Sequence, residues 1–155
     1  MRRRRAPKRE KLNDPKYDSL VVGDFVNIIM FSGKKSTAQR IVYGAFDIIA
    51  EKTKEDPIKV FKASLDNARP RVAVKPRRIG GATYQVPLEV PSDRGASIAL
   101  RWMRDIARKK KGKSMGEKLA EEILSAYKNE GSVIKKKEDT HKMAESNRAF
   151  AHFKI

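Results

Sequence analysis

Hydrophobic positions recur at helical spacing along most of the chain and at strand spacing in one stretch. Ser19 reads as the N-cap of a first helix over Leu20 to Phe31, with Val22, Phe25, Val26 and Ile29 inside and Gly33 as its stop. A basic turn, Gly33-Lys34-Lys35-Ser36, leads to a second helix capped by Ser36. Its Ala38, Ile41, Val42, Ala45, Ile48 and Ile49 form the clearest amphipathic pattern in the chain. Asp56-Pro57 supplies the N-cap and first-turn proline of a third helix, with Ile58, Phe61, Leu65 and Ala68 on its inner face and Pro70 ending it. Ser92 or Asp93 caps a fourth, whose buried stripe is Ile98, Ala99, Trp102, Met103, Ile106 and Ala107. Trp102 lies on that stripe and so reads as a core anchor rather than a base-stacking platform. Ser114 and Glu117 make a capping box for a fifth, with Met115, Leu119, Ile123, Leu124 and Tyr127 apolar and Gly131 as its stop. From Ser132 to Arg148 the stripe is thin (Val133, Ile134, Met143, Ala144), so this last helix lies on a surface or against a partner. The aromatic tail, Phe150 to Phe153, folds back on the core or docks on a neighbour.

Arg69 to Val90 alone reads as strand. Val72 and Val74 alternate with Arg71, Ala73 and Lys75, and Tyr84, Val86, Leu88 and Val90 alternate with Thr83, Gln85, Pro87 and Glu89. Gly80-Gly81 between the runs tolerates the positive φ of a tight hairpin. The chain reads as organised around this ribbon: one face apolar, the other carrying Arg71, Lys75 and Arg77, with Arg78 at the tip. Pro76 and Pro87 remove ladder donors, which suits exposed edges. The expected fold is mainly α, a bundle of about six helices with a protruding two-stranded β-hairpin arm between the third and fourth helices. One domain spans 1–155: a basic extended arm (1–18), helices one to three (19–69), the hairpin arm (70–91), helices four to six (92–148) and a tail (149–155).

Charge narrows the function. Lys and Arg outnumber Asp and Glu by 36 to 19, for a net charge of +17. That much self-repulsion calls for a polyanion, either nucleic acid or an anionic membrane. No apolar run approaches the roughly 18 residues of a membrane span, the basic N-terminus lacks the apolar core of a secretory signal, and there is no cysteine. The expectation is a cytoplasmic protein. Three basic groups read as phosphate grips: the arm with Arg2, Arg3, Arg4, Arg5, Lys8, Arg9 and Lys11; the ribbon with Arg71 and Lys75; and the turn Arg108, Lys109, Lys110, Lys111 and Lys113.

Catalysis finds no support. His141 and His152 lack metal-ligand spacing, and the adjacent Glu121 and Glu122 point apart on a helix. Gly112-Lys113-Ser114 fails as a phosphate-binding P-loop, since Ala107 stands where its first glycine belongs. No cofactor, metal, membrane or small-molecule substrate is expected.

Three segments resemble a known family. They are Asp24 to Asn27 with Gly33-Lys34-Lys35; Arg77-Arg78-Ile79-Gly80-Gly81-Ala82-Thr83-Tyr84-Gln85-Val86-Pro87; and Lys135 to Asp139 with Met143 to Phe153. Together they are similar to the universal small-subunit ribosomal protein number seven family in its bacterial form. The resemblance covers nearly the whole chain. It implies a structural constituent of the small ribosomal subunit, a primary ribosomal-RNA binder that nucleates assembly of the head, beside exit-site tRNA, the messenger and neighbouring ribosomal proteins. It puts Lys34, Lys35, Lys113, Ser114 and Met115 on ribosomal RNA. Arg77, Arg78, Ile79, Gly80, Gly81, Ala82, Tyr84, Lys136, Lys137, Asn147 and Arg148 would lie near tRNA and messenger. Asp139, Thr140, Phe150 and Phe153 would touch a neighbouring protein. The alternative is a DNA-bending architectural protein with a basic β-arm. Membrane-surface binding ranks behind it, since no free helix sets these charges opposite an apolar stripe.

Overall fold

The computed structural model describes residues 10–153, with the side chains of Ile79 and Phe153 outside what is described; Arg2, Arg3, Arg4, Arg5, Lys8 and Arg9 also lie outside the described residues. Among those described, six α-helices and one antiparallel hairpin follow in the order α1 (Leu20–Ile29), α2 (Lys35–Thr53), α3 (Pro57–Ala68), β1 (Val72–Ile79), β2 (Ala82–Glu89), α4 (Ser92–Lys109), α5 (Met115–Tyr127) and α6 (Gly131–Ser146), closed by a 3-10 helix, Arg148–Phe153. The mainly helical fold, with six helices and a two-stranded hairpin between the third and fourth, is as expected.

Local chemistry sets several boundaries. The Asp56 carboxylate accepts the Ile58 N–H at 3.0 Å with Pro57 in the first turn of α3. Ser114 caps α5 by accepting the Glu117 N–H, and its hydroxyl donates to the Glu117 carboxylate at 2.6 Å. Other caps differ from expectation. α1 ends at Ile29, two residues early, and Ser36 lies inside α2 with Lys34 before it. Ser92 is the first residue of α4 rather than its cap, a position that falls to Pro91, and its hydroxyl accepts from Arg69 at 2.7 Å.

The organising element is α5 rather than the ribbon. It packs against α2, α3, α4 and α6, and its Leu119, Ala120, Ile123 and Ala126 are fully buried. In the same core Phe61 meets Phe25 and Phe46, with tilted ring contacts at 5.1 and 5.2 Å. Phe46, Val60 and Leu100 are core residues that the narrow sequence stripes omitted, whereas Ile58 is only half-buried and Met143 is exposed. Residues 10–18, expected to be arm, join the body at Asp14. Its buried carboxylate accepts the Tyr43 hydroxyl at 2.9 Å and the N–H groups of Lys16 and Tyr17. Burial, and then Asp14, push the Tyr43 hydroxyl up to about 12.

The hairpin corrects the sequence reading twice. Gly80 and Gly81, at φ 56° and 94°, make a two-residue turn. That turn pairs Val74 with Pro87 and Lys75 with Val86. Paired residues share a face, so Val72 and Val74 lie opposite Tyr84, Val86 and Leu88, and no face is wholly apolar. Consecutive Val86 and Pro87, on opposite faces, are both buried. Secondly, the arm is clasped. Both strands pack on α6 and β2 packs on the 3-10 helix, where the Tyr84 and Phe150 rings meet at 4.7 Å. Lys75, Pro76 and Glu89 stay exposed along the strands, and so does the tip, with Arg78, Gly80, Gly81, Ala82 and Thr83.

Candidate nucleic-acid interface

α1 ends with backbone carbonyls that have no partner within the helix. Two arginines from the last turns of α4 satisfy them: Arg104 donates to the Ile28 carbonyl at 3.4 Å and Arg108 to the Ile29 carbonyl at 3.2 Å. These bonds draw the α1–α2 turn and the α4–α5 turn to one end of the bundle. There Lys34, Lys35, Lys109 and Lys111 are exposed and form no ion pair among the described residues.

The remaining cations of the α4–α5 turn serve the fold. Lys110 donates to the buried Glu122 carboxylate at 2.6 Å and lies 3.6 Å from Glu121; Lys113 pairs with Glu121. The hydrogen bond to Glu122 holds the Lys110 ammonium above the ordinary lysine range, and that from Lys113 holds the Glu121 carboxyl below the ordinary carboxylate range. Half-buried Met115 begins α5 beside Ser114. Lys11, at the N-terminal end of the described residues, pairs with Asp24 at 2.5 Å.

The second basic surface is the hairpin, rooted at the opposite end of α4, which at 1.5 Å per residue is about 27 Å long. The Val90 N–H donates to the Arg71 carbonyl at the root. Register places Arg78 across from Thr83 and Arg77 across from Tyr84. Lys75 and Arg78 are exposed.

α6 brings fewer free groups than its composition suggests. The Lys136 ammonium sits 5.4 Å over the Trp102 ring, and Trp102 packs half-buried on the core stripe where the sequence put it. Lys137 donates to the Asn67 carbonyl at 2.6 Å. Thr140 and Asn147 donate to carbonyls one turn back, while Asp139 is exposed. Arg148 and His141 line an apolar groove between α6 and the hairpin. Sequence reasoning passed over Phe31, an aromatic 75% exposed beside Lys34; its position just beyond the α1 stripe was the available signal.

Among the described residues no three His, Cys, Asp or Glu side chains converge as a metal site, and no helix is long and apolar enough to cross a membrane. Fold and charge together define a small basic helical protein with exposed cations on two separated surfaces. The family model for ribosomal protein S7p/S5e matches residues 1–148. The small ribosomal subunit protein uS7 of Fervidobacterium nodosum is 61% identical over 99% of each chain, and that of Thermotoga petrophila 59% identical over 99% of each. That of Acidithiobacillus ferrooxidans is 56% identical over 99% of this chain and 98% of its own. The chain belongs to the ribosomal protein S7p/S5e family. It is a structural, non-enzymatic constituent of the small ribosomal subunit, and membership sets the DNA-bending alternative aside.

Proposed function

We propose that the protein is a primary binder of small-subunit ribosomal RNA that nucleates assembly of the head. In this reading the bundle end carrying Lys34, Lys35, Lys109 and Lys111 seats on RNA, joined by the basic residues before Glu10 and by Lys75 of the ribbon. The hairpin tip, from Arg77 to Tyr84, extends toward exit-site tRNA and messenger, and the outer side of α6 with the closing 3-10 helix meets a neighbouring ribosomal protein.

The observation that supports this best is the pinning of both basic turns by Arg104 and Arg108. Folded RNA is recognised largely through shape and phosphates, so a rigid scaffold must hold its cations at fixed separations. Four unpaired ammonium groups on one braced end meet that need, while three neighbouring cations are spent on internal partners.

The test separates the two surfaces. Replacing Arg77 and Arg78 with Ala is expected to leave the circular dichroism spectrum and incorporation into small subunits intact while lowering exit-site tRNA occupancy. Unchanged tRNA occupancy, or loss of incorporation, would contradict the assignment.

A further inference from the structure

Phe25, Phe46 and Phe61 are fully buried, and Phe150 packs on Tyr84; Phe31 is 75% exposed. It is not exposed through looseness of the backbone. The Met30 N–H donates to the Val26 carbonyl at 2.9 Å, and the Phe31 carbonyl accepts the Lys34 N–H at 3.1 Å. Ser32 and Gly33, at φ 51° and 74°, turn the chain immediately afterwards. Behind it, α1 is held by Arg104 and Arg108 through the Ile28 and Ile29 carbonyls. A fixed turn therefore presents an aromatic ring to solvent, without a ring partner among the described residues. It forgoes the burial that its three core counterparts gain.

The surroundings identify the occupant. Lys34 and Lys35 follow in the same turn, and the Arg108 bond to the Ile29 carbonyl brings the α4–α5 turn, with exposed Lys109 and Lys111, to the same end of the bundle. An apolar protein partner would have to desolvate those ammonium groups without compensation. A single RNA strand satisfies both features: its phosphates meet the lysines, and an unstacked base offers a flat face to the ring. We propose that Phe31 is a stacking platform for an unpaired base of the ribosomal RNA gripped by these two turns. This rests on the RNA-binding reading of that surface and adds an interaction that reads base exposure rather than charge.

The test titrates a head-domain fragment of small-subunit ribosomal RNA with wild type, Phe31→Ala, Phe31→Leu, Phe31→Tyr and the double variant Lys34→Ala/Lys35→Ala across a salt series. Circular dichroism confirms that each is folded. Phe31→Ala should bind about five- to a hundredfold more weakly with an unchanged salt slope. Tyr should restore binding and Leu should not. The double lysine variant should instead flatten the slope, by roughly 0.7–0.9 for each phosphate no longer neutralised. In a Trp102→Phe background, Phe31→Trp fluorescence should be quenched by the RNA. Wild-type affinity in Phe31→Ala, full rescue by Leu, or unquenched fluorescence at saturation would overturn the proposal, the Leu rescue pointing to a protein pocket instead. Wild type that binds unrelated RNA equally well would mark failure of the underlying reading, and the stacking role falls with it.

Discussion

The Nε2 atom of His141 accepts the backbone N–H of Arg71 at 3.1 Å, joining the middle of α6 to the residue that leads into β1. Accepting at Nε2 requires the neutral ring. Burial, then the charges of Lys137 and Arg71, hold the His141 pKa below its ordinary value. As pH falls below about 6.5, the unfolded chain therefore takes up this proton before the folded one does, and stability falls with it. The contribution is complete above that pH and is lost as the pH falls to the depressed folded value. Replacing His141 with Gln should flatten the decline of the thermal unfolding midpoint between pH 7 and 5. Superimposable pH profiles would refute it.

Arg108 and its neighbours should separate by role. Arg108→Ala removes the donor to the Ile29 carbonyl and should cost about 1 kcal/mol, below the range for a hydrogen bond to a charged group because Arg108 is exposed, with little change in the salt slope of RNA binding. The double variant Lys109→Ala/Lys111→Ala should do the reverse. Denaturant titration and binding isotherms on the same preparations decide between them, and equal stability losses would sink the distinction.

Glu122 is buried, with one oxygen on Lys110 and the other without a hydrogen-bond partner. Replacing Lys110 with Met strands that carboxylate. The cost should be about 2 kcal/mol, below the range for a fully buried pair because Lys110 is itself partly exposed. Adding Glu122→Gln should recover much of it. A double variant no more stable than the Lys110→Met single would show that the pair is not what matters.

Phe150→Ala should release the closing 3-10 helix from β2. The ring pair contributes about 0.5–1.5 kcal/mol beyond its buried area, and the effect should show as faster hydrogen exchange in the strand amides around Tyr84 with α5 unaffected. Unaltered exchange in β2 would show that the tail does not brace the arm.

Much of this fold is legible in the sequence because its signals are local. Asp56-Pro57 and Ser114 act where they stand, and Gly80-Gly81 fixes the hairpin. What escaped depends on pairing at a distance. The same two-residue turn sets Val74 and Val86 on opposite faces, which alternation within one strand cannot reveal. Lys110, Lys113 and Arg108 looked like one phosphate grip, yet their partners Glu122, Glu121 and the Ile29 carbonyl come from other helices. Phe46 and Leu100 lie beyond the narrow stripes because α5 is enclosed on several sides, and that widens the buried faces of the helices around it.

The most direct measurement is the salt dependence of binding to a head-domain fragment of small-subunit ribosomal RNA, comparing wild type with the variant carrying Ala at Lys34, Lys35, Lys109 and Lys111. Bent duplex DNA and unrelated RNA serve as competitors. Wild type should prefer the fragment by orders of magnitude at physiological salt. The folded variant should lose affinity and show a slope shallower by roughly 3, close to 0.7–0.9 for each of four phosphates. An unchanged slope, or equal competition by all three nucleic acids, would contradict the claim that this end of the bundle is the RNA seat.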